Sequence, residues 1–115
     1  MTSKKQVPYA ALKRIFHEPN RLAIMSALAG ASKGCSFTDL RSACALTDGN
    51  LSRHLKVLEE EKAVHIEKAF VGVKPRTTAT LTDDGRQRFM VYLQALEEVL
   101  QAATRAIQSE PPATA

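Results

Sequence analysis

A chain of 115 residues has room for one domain with one core. Hydrophobic residues make up 44% and aromatics only 5%, with no Trp, so an aliphatic core is expected, and no stretch approaches the ~20 apolar residues of a membrane span. A net charge of +4 is compatible with a polyanionic partner without singling one out, and two cysteines exclude a disulfide framework.

Residues 1–8 are polar, end in Pro8 and read as a flexible arm. The basic start is followed by no apolar signal core, so a cytoplasmic chain with reduced thiols and no membrane partner is expected. Tyr9, Leu12, Ile15 and Phe16 fit a short helix over Tyr9–His17, broken by Glu18-Pro19-Asn20. Pro19 suits the first turn of a second helix, where its missing N–H costs nothing. That helix runs to Ala29, with Leu22, Met25, Leu28 and Ala29 inward and Gly30 as its stop.

After a connector, Cys35-Ser36 reads as a stub of strand. A third helix follows, to Cys44, with Leu40, Ala43 and Cys44 inward. Ala45-Leu46-Thr47 then joins it to a fourth, which is the spacing of a helix-turn-helix. Leu46 would plug the gap, and Thr47 is a good N-cap. In the fourth helix Leu51, Leu55 and Leu58 share one stripe, while Gly49, Arg53 and Lys56 point the opposite way with Asn50 and Ser52 on the flanks. Such a two-faced helix suits DNA, and equally any surface.

Beyond Lys62 the period drops to near two. Val64–Phe70 and Arg76–Leu81 read as strands, with Val71–Pro75 an irregular hairpin tip. Lys68, Lys74 and Arg76 lie at the tip and its exit, with Thr77 and Thr78 behind. Thr82 caps a last helix to about Gln108, whose start carries the favourable charges of Asp83 and Asp84. Phe89, Leu93, Leu96, Leu100, Ala103 and Ile107 recur at spacings of four and three, a heptad-like seam longer than one small domain needs. The order gives a mainly α fold with a small β-hairpin wing (α+β): a winged helix-turn-helix with a long C-terminal dimerisation helix. The expected divisions are an arm over 1–8, a DNA-binding domain over 9–82, a dimerisation helix over 83–108 and a disordered tail over 109–115.

The run Leu51-Ser52-Arg53-His54-Leu55-Lys56-Val57-Leu58-Glu59 resembles the recognition helix of bacterial ArsR- and MarR-type regulators. Phe70-Val71-Gly72-Val73-Lys74-Pro75-Arg76-Thr77-Thr78, followed by Leu81-Thr82-Asp83-Asp84-Gly85-Arg86, resembles the wing and following helix of a small MarR-like family of bacterial and archaeal transcriptional regulators. Arg21-Leu22-Ala23-Ile24-Met25 resembles the second-helix motif of the same proteins. The resemblance spans residues 10–100. It implies a homodimeric regulator, a repressor by analogy, on palindromic double-stranded DNA.

On that reading Asn50, Ser52, Arg53 and Lys56 face bases or phosphates in the major groove, since Arg matches guanine edges and Asn adenine. His54 either donates to a phosphate or covers the helix junction. Lys74, Arg76 and Thr77 place the wing on the flanking backbone or minor groove, with Arg41 and Lys33 as weaker backbone candidates. The family often carries Gln where Asp48 stands; an acid there repels phosphate, so Asp48 is read as a cap. Phe89, Leu93, Leu96, Leu100 and Ile107 form the dimer seam.

No cofactor or metal set is expected: Cys35 and Cys44 are nine apart, and His17, His54 and His65 form no ligand spacing with them. Ser52-Arg53-His54 is no nucleophile arrangement, and Glu59-Glu60-Glu61 is a solvated charge run, so no enzyme is expected. The rival reading is a winged-helix protein-interaction module without DNA. A small-molecule effector between dimer arm and DNA domain is a subordinate expectation.

Overall fold

The structure is a computed structural model and describes residues 9–110. The expected arm over 1–8 and the tail from 111 onward lie outside those residues. The elements are α1 (Pro19–Ala29), β1 (Cys35–Ser36), α2 (Phe37–Cys44), α3 (Asp48–Glu60), β2 (Val64–Val71), β3 (Lys74–Leu81) and α4 (Asp83–Ser109). The last helix thus runs one residue past the expected end at 108 and takes in Ser109.

Each helix starts on a side chain that accepts one of its free N–H groups. Glu18 accepts from Asn20 N at 2.7 Å, Ser36 from Asp39 N at 3.1 Å, Thr47 from Asn50 N at 3.2 Å and Thr82 from Gly85 N at 2.8 Å. Pro19 occupies the first turn of α1 as expected. Both helices of the helix-turn-helix end on a left-handed residue that is not glycine: Ala45 at φ 54° and Lys62 at φ 61°. In each case the next N–H reaches back a full turn, Leu46 N to Arg41 O at 3.1 Å and Ala63 N to Leu58 O at 2.9 Å. That pairing satisfies orphan carbonyls and turns Leu46 onto the core between α2 and α3.

The segment expected to be a helix over Tyr9–His17 is not one. It makes a single 3-10 turn at Tyr9–Ala11 and then a bend in which His17 N bonds Lys13 O at 2.9 Å. The cause is Arg21, whose Nε donates to Ile15 O at 2.7 Å and whose terminal nitrogen donates to Arg14 O at 3.3 Å. Those carbonyls find partners outside a helix, and Glu18 before Pro19 is held extended.

The sheet is antiparallel with order β1-β3-β2. Its hairpin closes tightly: Val71 pairs with Lys74, so the turn is Gly72-Val73 alone, with Gly72 at φ 66°. The broad irregular tip expected over Val71–Pro75 is therefore absent. Pro75 sits inside β3 opposite Phe70, tolerated because β1 pairs only with Thr78 and Ala79 and leaves that side of β3 open.

The core joins α1, α2, α3, the base of the sheet and the first half of α4. Ile24, not foreseen as an inward residue, is fully buried, whereas Ala29 and Ala43 face solvent. Few as they are, the aromatics concentrate: Phe16 meets Phe89 and Tyr92 edge-on at 5.5 and 5.8 Å, and those two stack at 5.9 Å. His17 Nδ1 bonds the Tyr92 hydroxyl at 2.9 Å. This cluster straps the segment before α1 onto α4. Gly85 is buried where α4 begins, against the backbone of Ala63. Beyond Leu96 the helix leaves the body, which fits a radius of gyration of 18.3 Å against about 13 Å for a compact chain of this length.

Candidate nucleic-acid interface

Burial of Leu51, Leu55 and Leu58 fixes the rotation of α3. It leaves Asn50, Ser52, Arg53 and Lys56 exposed on the opposite side, as the spacing requires. Arg53 donates to Asn50 Oδ1 at 3.3 Å, one turn back, so the two long polar groups are already aligned on one face. At the head of the helix Asp48 bonds Arg41 of α2 at 2.6 Å. That pair neutralises an acid that would otherwise face any anion at the helix start, and it ties the two helices together. Being exposed, it adds little stability.

Between α3 and the sheet lies a groove of about 720 Å³. Ser52, Lys56 and Glu59 line one wall, Lys68 and Thr77 the other, with Phe37 and Ile66 at its base. The strand register explains which wing residues reach it. Directly paired residues point to the same face, and faces alternate along a strand. Val64 with Leu81 and Ile66 with Ala79 face the core, so Lys68 with Thr77 and Phe70 with Pro75 continue that inner face outward. Arg76, opposite Ala69, and Lys74, opposite Val71, lie on the outer face. Thr77 therefore joins the α3 side chains directly. Lys74 and Arg76 flank them from behind the hairpin, and Lys68, absent from the expected contact set, takes the place beside Lys56.

His54 does not belong to the exposed face. It is 5% exposed and points from α3 into the junction with α1. Its Nδ1 lies 3.3 Å from Glu18 Oε2 and 3.4 Å from an Arg21 nitrogen, and its Nε2 lies 3.5 Å from Asn20 Nδ2. A neutral ring with its proton on Nδ1 accepts from Asn20 at Nε2 and turns its N–H side to the Glu18 carboxylate. Burial pushes the imidazole below its ordinary pKa; the Glu18 carboxylate opposes this, and Arg21 and Arg53 add to it. Of the two roles open to His54, the geometry selects the junction. The signal was present, since position 54 is three after Leu51 and falls on the buried stripe. Its partners, more than thirty residues away, carried no local sign.

The cysteines are free and half-buried, and burial pushes both thiols above their ordinary value, with Asp39 adding to it at Cys35. Among the described residues no three His, Cys, Asp or Glu side chains converge to hold a metal ion. No described helix is long and apolar enough to cross a membrane.

Along α4 the expected seam divides. Phe89 is buried in its own core, which removes it from any surface seam, and Leu96 packs against that core. Leu93 is partly open, while Leu100 and Ile107 are 57% and 75% exposed. Where the segment before α1 meets α4, a cleft of about 520 Å³ is lined by Lys13, Phe16, Glu61, Arg88 and Val91, among others.

The family model for the winged helix DNA-binding domain matches residues 20–100. An uncharacterized protein of Methanocaldococcus jannaschii is 36% identical over 88 residues, covering 76% of this chain and 91% of that one. The solved structure of a transcriptional regulator homologue from Pyrococcus horikoshii is 30% identical, with a TM-score of 0.75 over 82% of this chain and 93% of that one. A MarR-family regulator structure from Enterococcus faecalis, 22% identical, superposes with a TM-score of 0.71 over 94% and 96% of the two chains.

Proposed function

Because the chain belongs to the winged helix DNA-binding domain family, with the fold of MarR-like transcriptional regulators, we propose that it reads specific double-stranded DNA as a homodimer and represses transcription there. One observation carries the reading: Ser52, Lys56, Lys68 and Thr77 converge on a single groove beside the exposed Asn50–Arg53 pair. A helix whose outer face is polar and cationic enters the major groove, and Arg53 with Asn50 has the donors and acceptors to read base edges there. Lys56 and Lys68 hold the phosphates on either side. The cations of the outer wing face, Lys74 and Arg76, meet the backbone next to them.

The domain division that supports this reading is 9–82 for DNA and 83–108 for dimerisation. Leu93, Leu100 and Ile107 pair with the same residues of a second copy, since the described chain leaves Leu93 partly and Leu100 and Ile107 mostly open. A two-fold pair of such units fits a palindrome with half-sites about one turn apart. Seated over that length in the cytoplasm, it excludes other proteins from the same DNA, which is the physical basis for repression. The cleft of about 520 Å³ at the junction of α4 with the body favours a second, dependent reading. A small ligand held there tilts one part against the other and alters the spacing of the two α3 helices.

Selection of duplexes from a random pool, followed by gel shift over a salt series, tests the proposal. A half-site repeated in opposite orientations is expected, with affinity falling steeply as salt rises. Arg53→Ala is expected to lose about 1–3 kcal/mol on the selected duplex and little on random DNA. No retardation of any duplex at low salt overturns the DNA reading in favour of a protein-interaction module.

A further inference from the structure

Asp48 is expected at the start of α3 as a cap, yet the cap is Thr47, whose hydroxyl accepts from Asn50 N at 3.2 Å. The Asp48 carboxylate turns instead across the helix-turn-helix, where Oδ1 accepts from a terminal nitrogen of Arg41 at 2.6 Å. The two side chains are 68% and 38% exposed, and an open pair of this kind contributes almost nothing to stability. Among the described residues nothing bonds the other oxygen, Oδ2. Asp48 precedes Ser52 by one turn on the same side of α3, at the head of the groove wall that Ser52 and Lys56 form. A guanidinium and a half-free carboxylate thus stand side by side and open at the head of that groove.

We propose that Arg41 and Asp48 act as one unit that reads a G·C pair in each half-site, the guanidinium on guanine and the free carboxylate oxygen on the cytosine N4 amine. The inference rests on the DNA reading above and adds two specificity residues to it. Chemistry supports the assignment. A carboxylate repels phosphate, but it accepts well from an amine. In the major groove a G·C pair presents two acceptors, guanine N7 and O6, beside one donor, cytosine N4. A guanidinium joined to a carboxylate is the complement of that edge. An A·T pair puts thymine O4 and a methyl group where the carboxylate needs a donor. Position supports it too, because the first residues of the second helix of a helix-turn-helix are the ones that reach base edges, and Asp48 is the first of α3. Arg41 uses one N–H on Oδ1 and keeps the rest of its fork for guanine. The bond between the two also orders the long Arg side chain before DNA arrives, which lowers the entropy lost on binding. Because the couple carries no net charge, it adds sequence preference without adding non-specific attraction.

The test has the full chain select duplexes from a random pool, once as wild type and once as Asp48→Ala. A G·C pair is expected at one position of every wild-type half-site. The Asp48→Ala pool is expected to keep the other positions and relax at that one. Two altered duplexes then probe single atoms. One replaces the cytosine by 2-pyrimidinone, which lacks the N4 amine; the other replaces the guanine by 7-deazaguanine, which lacks N7. The wild type is expected to bind each about tenfold or more weakly than the parent duplex. Asp48→Ala is expected to bind the parent and 2-pyrimidinone duplexes alike, which separates the lost contact from the weaker base pair. Arg41→Ala is expected to bind the parent and 7-deazaguanine duplexes alike. Both variants should keep the wild-type urea midpoint, because the pair is exposed. The altered duplexes probe the wild type itself, so the outcome does not hang on a variant's folding. Full wild-type affinity for the 2-pyrimidinone duplex, or an unchanged half-site selected by Asp48→Ala, overturns the couple as a reader and leaves the DNA reading standing. No enriched sequence and no retardation of any duplex at low salt overturns both.

Discussion

Gly85→Ala is expected to destabilise the fold although it places a better helix former in α4. A Cβ at position 85 would lie 2.0 Å from Ala63 O, 2.7 Å from its carbonyl carbon and 2.8 Å from its Cα, all backbone atoms. Restoring an ordinary contact of about 3.4 Å moves the start of α4 by about 1.4 Å from the α3–β2 corner. That corner is sewn by Thr82, whose N donates to Ala63 O at 3.1 Å and whose hydroxyl donates to Lys62 O at 2.7 Å. Overpacking costs about 1–3 kcal/mol and each weakened hydrogen bond about 1 kcal/mol. The gain of Ala over Gly in a helix returns about 1 kcal/mol. The net loss is about 2–4 kcal/mol, a drop in Tm of roughly 8–30 °C for a domain of this size. Gly49→Ala is the internal control. Nothing lies within 4 Å of a Cβ there, so stability is expected to rise by about 0.5–1 kcal/mol. Urea and thermal unfolding followed by circular dichroism, at one fixed protein concentration, measure both. Gly85→Ala as stable as the wild type, or stabilised alongside Gly49→Ala, would refute the close-approach argument.

Three further outcomes follow from the site. Lys68→Ala is expected to lower the slope of log K against log salt by about 1 on specific and random duplex alike; an unchanged slope removes Lys68 from the phosphate contacts. For His54, the folded chain holds the ring below its ordinary value of about 6.5. The unfolded chain therefore binds the proton first as pH falls. His54 thus contributes stability above that value and loses it as pH drops through the lower folded value. His54→Gln should narrow the difference between urea midpoints at about pH 7.5 and about pH 5.5, and an equal difference in both proteins contradicts the buried-neutral assignment. Leu100→Glu is expected to give a folded monomer by analytical ultracentrifugation where the wild type sediments as a dimer; a variant that remains dimeric places the partner surface elsewhere.

The elements set by near neighbours could be read from the sequence. Thr47 and Thr82 cap because their hydroxyls need only the next three residues, and the leucine stripe fixes the exposed face of α3 without reference to any other element. What sequence reading missed was set at a distance. The segment Tyr9–His17 has a helical pattern, yet a guanidinium from α1 claims its carbonyls. Alternation in the hairpin separates two faces but does not say which positions meet α3; the core-facing pairs Val64–Leu81 and Ile66–Ala79, carried on to Lys68–Thr77, do. Phe89 fits the seam by spacing, and it is the aromatic cluster with Phe16 and Tyr92 that draws it inward.

The polar junction of His54, Glu18, Arg21 and Asn20 has a bearing on how sequence could be read at all. Leucine contacts between two helices are alike from turn to turn, and a slip of one turn, about 5.4 Å, would cost them little. On DNA that slip exceeds one base pair, about 3.4 Å, and would set every side chain of α3 against the wrong step. The buried imidazole opposes it, because a slip would take the ring away from Asn20, 3.5 Å from its Nε2, and from the Glu18 carboxylate, 3.3 Å from its Nδ1. In that sense the cluster works as a frame lock. On the proposed DNA reading it touches no base, yet it fixes the phase in which α3 would meet the ladder of base pairs.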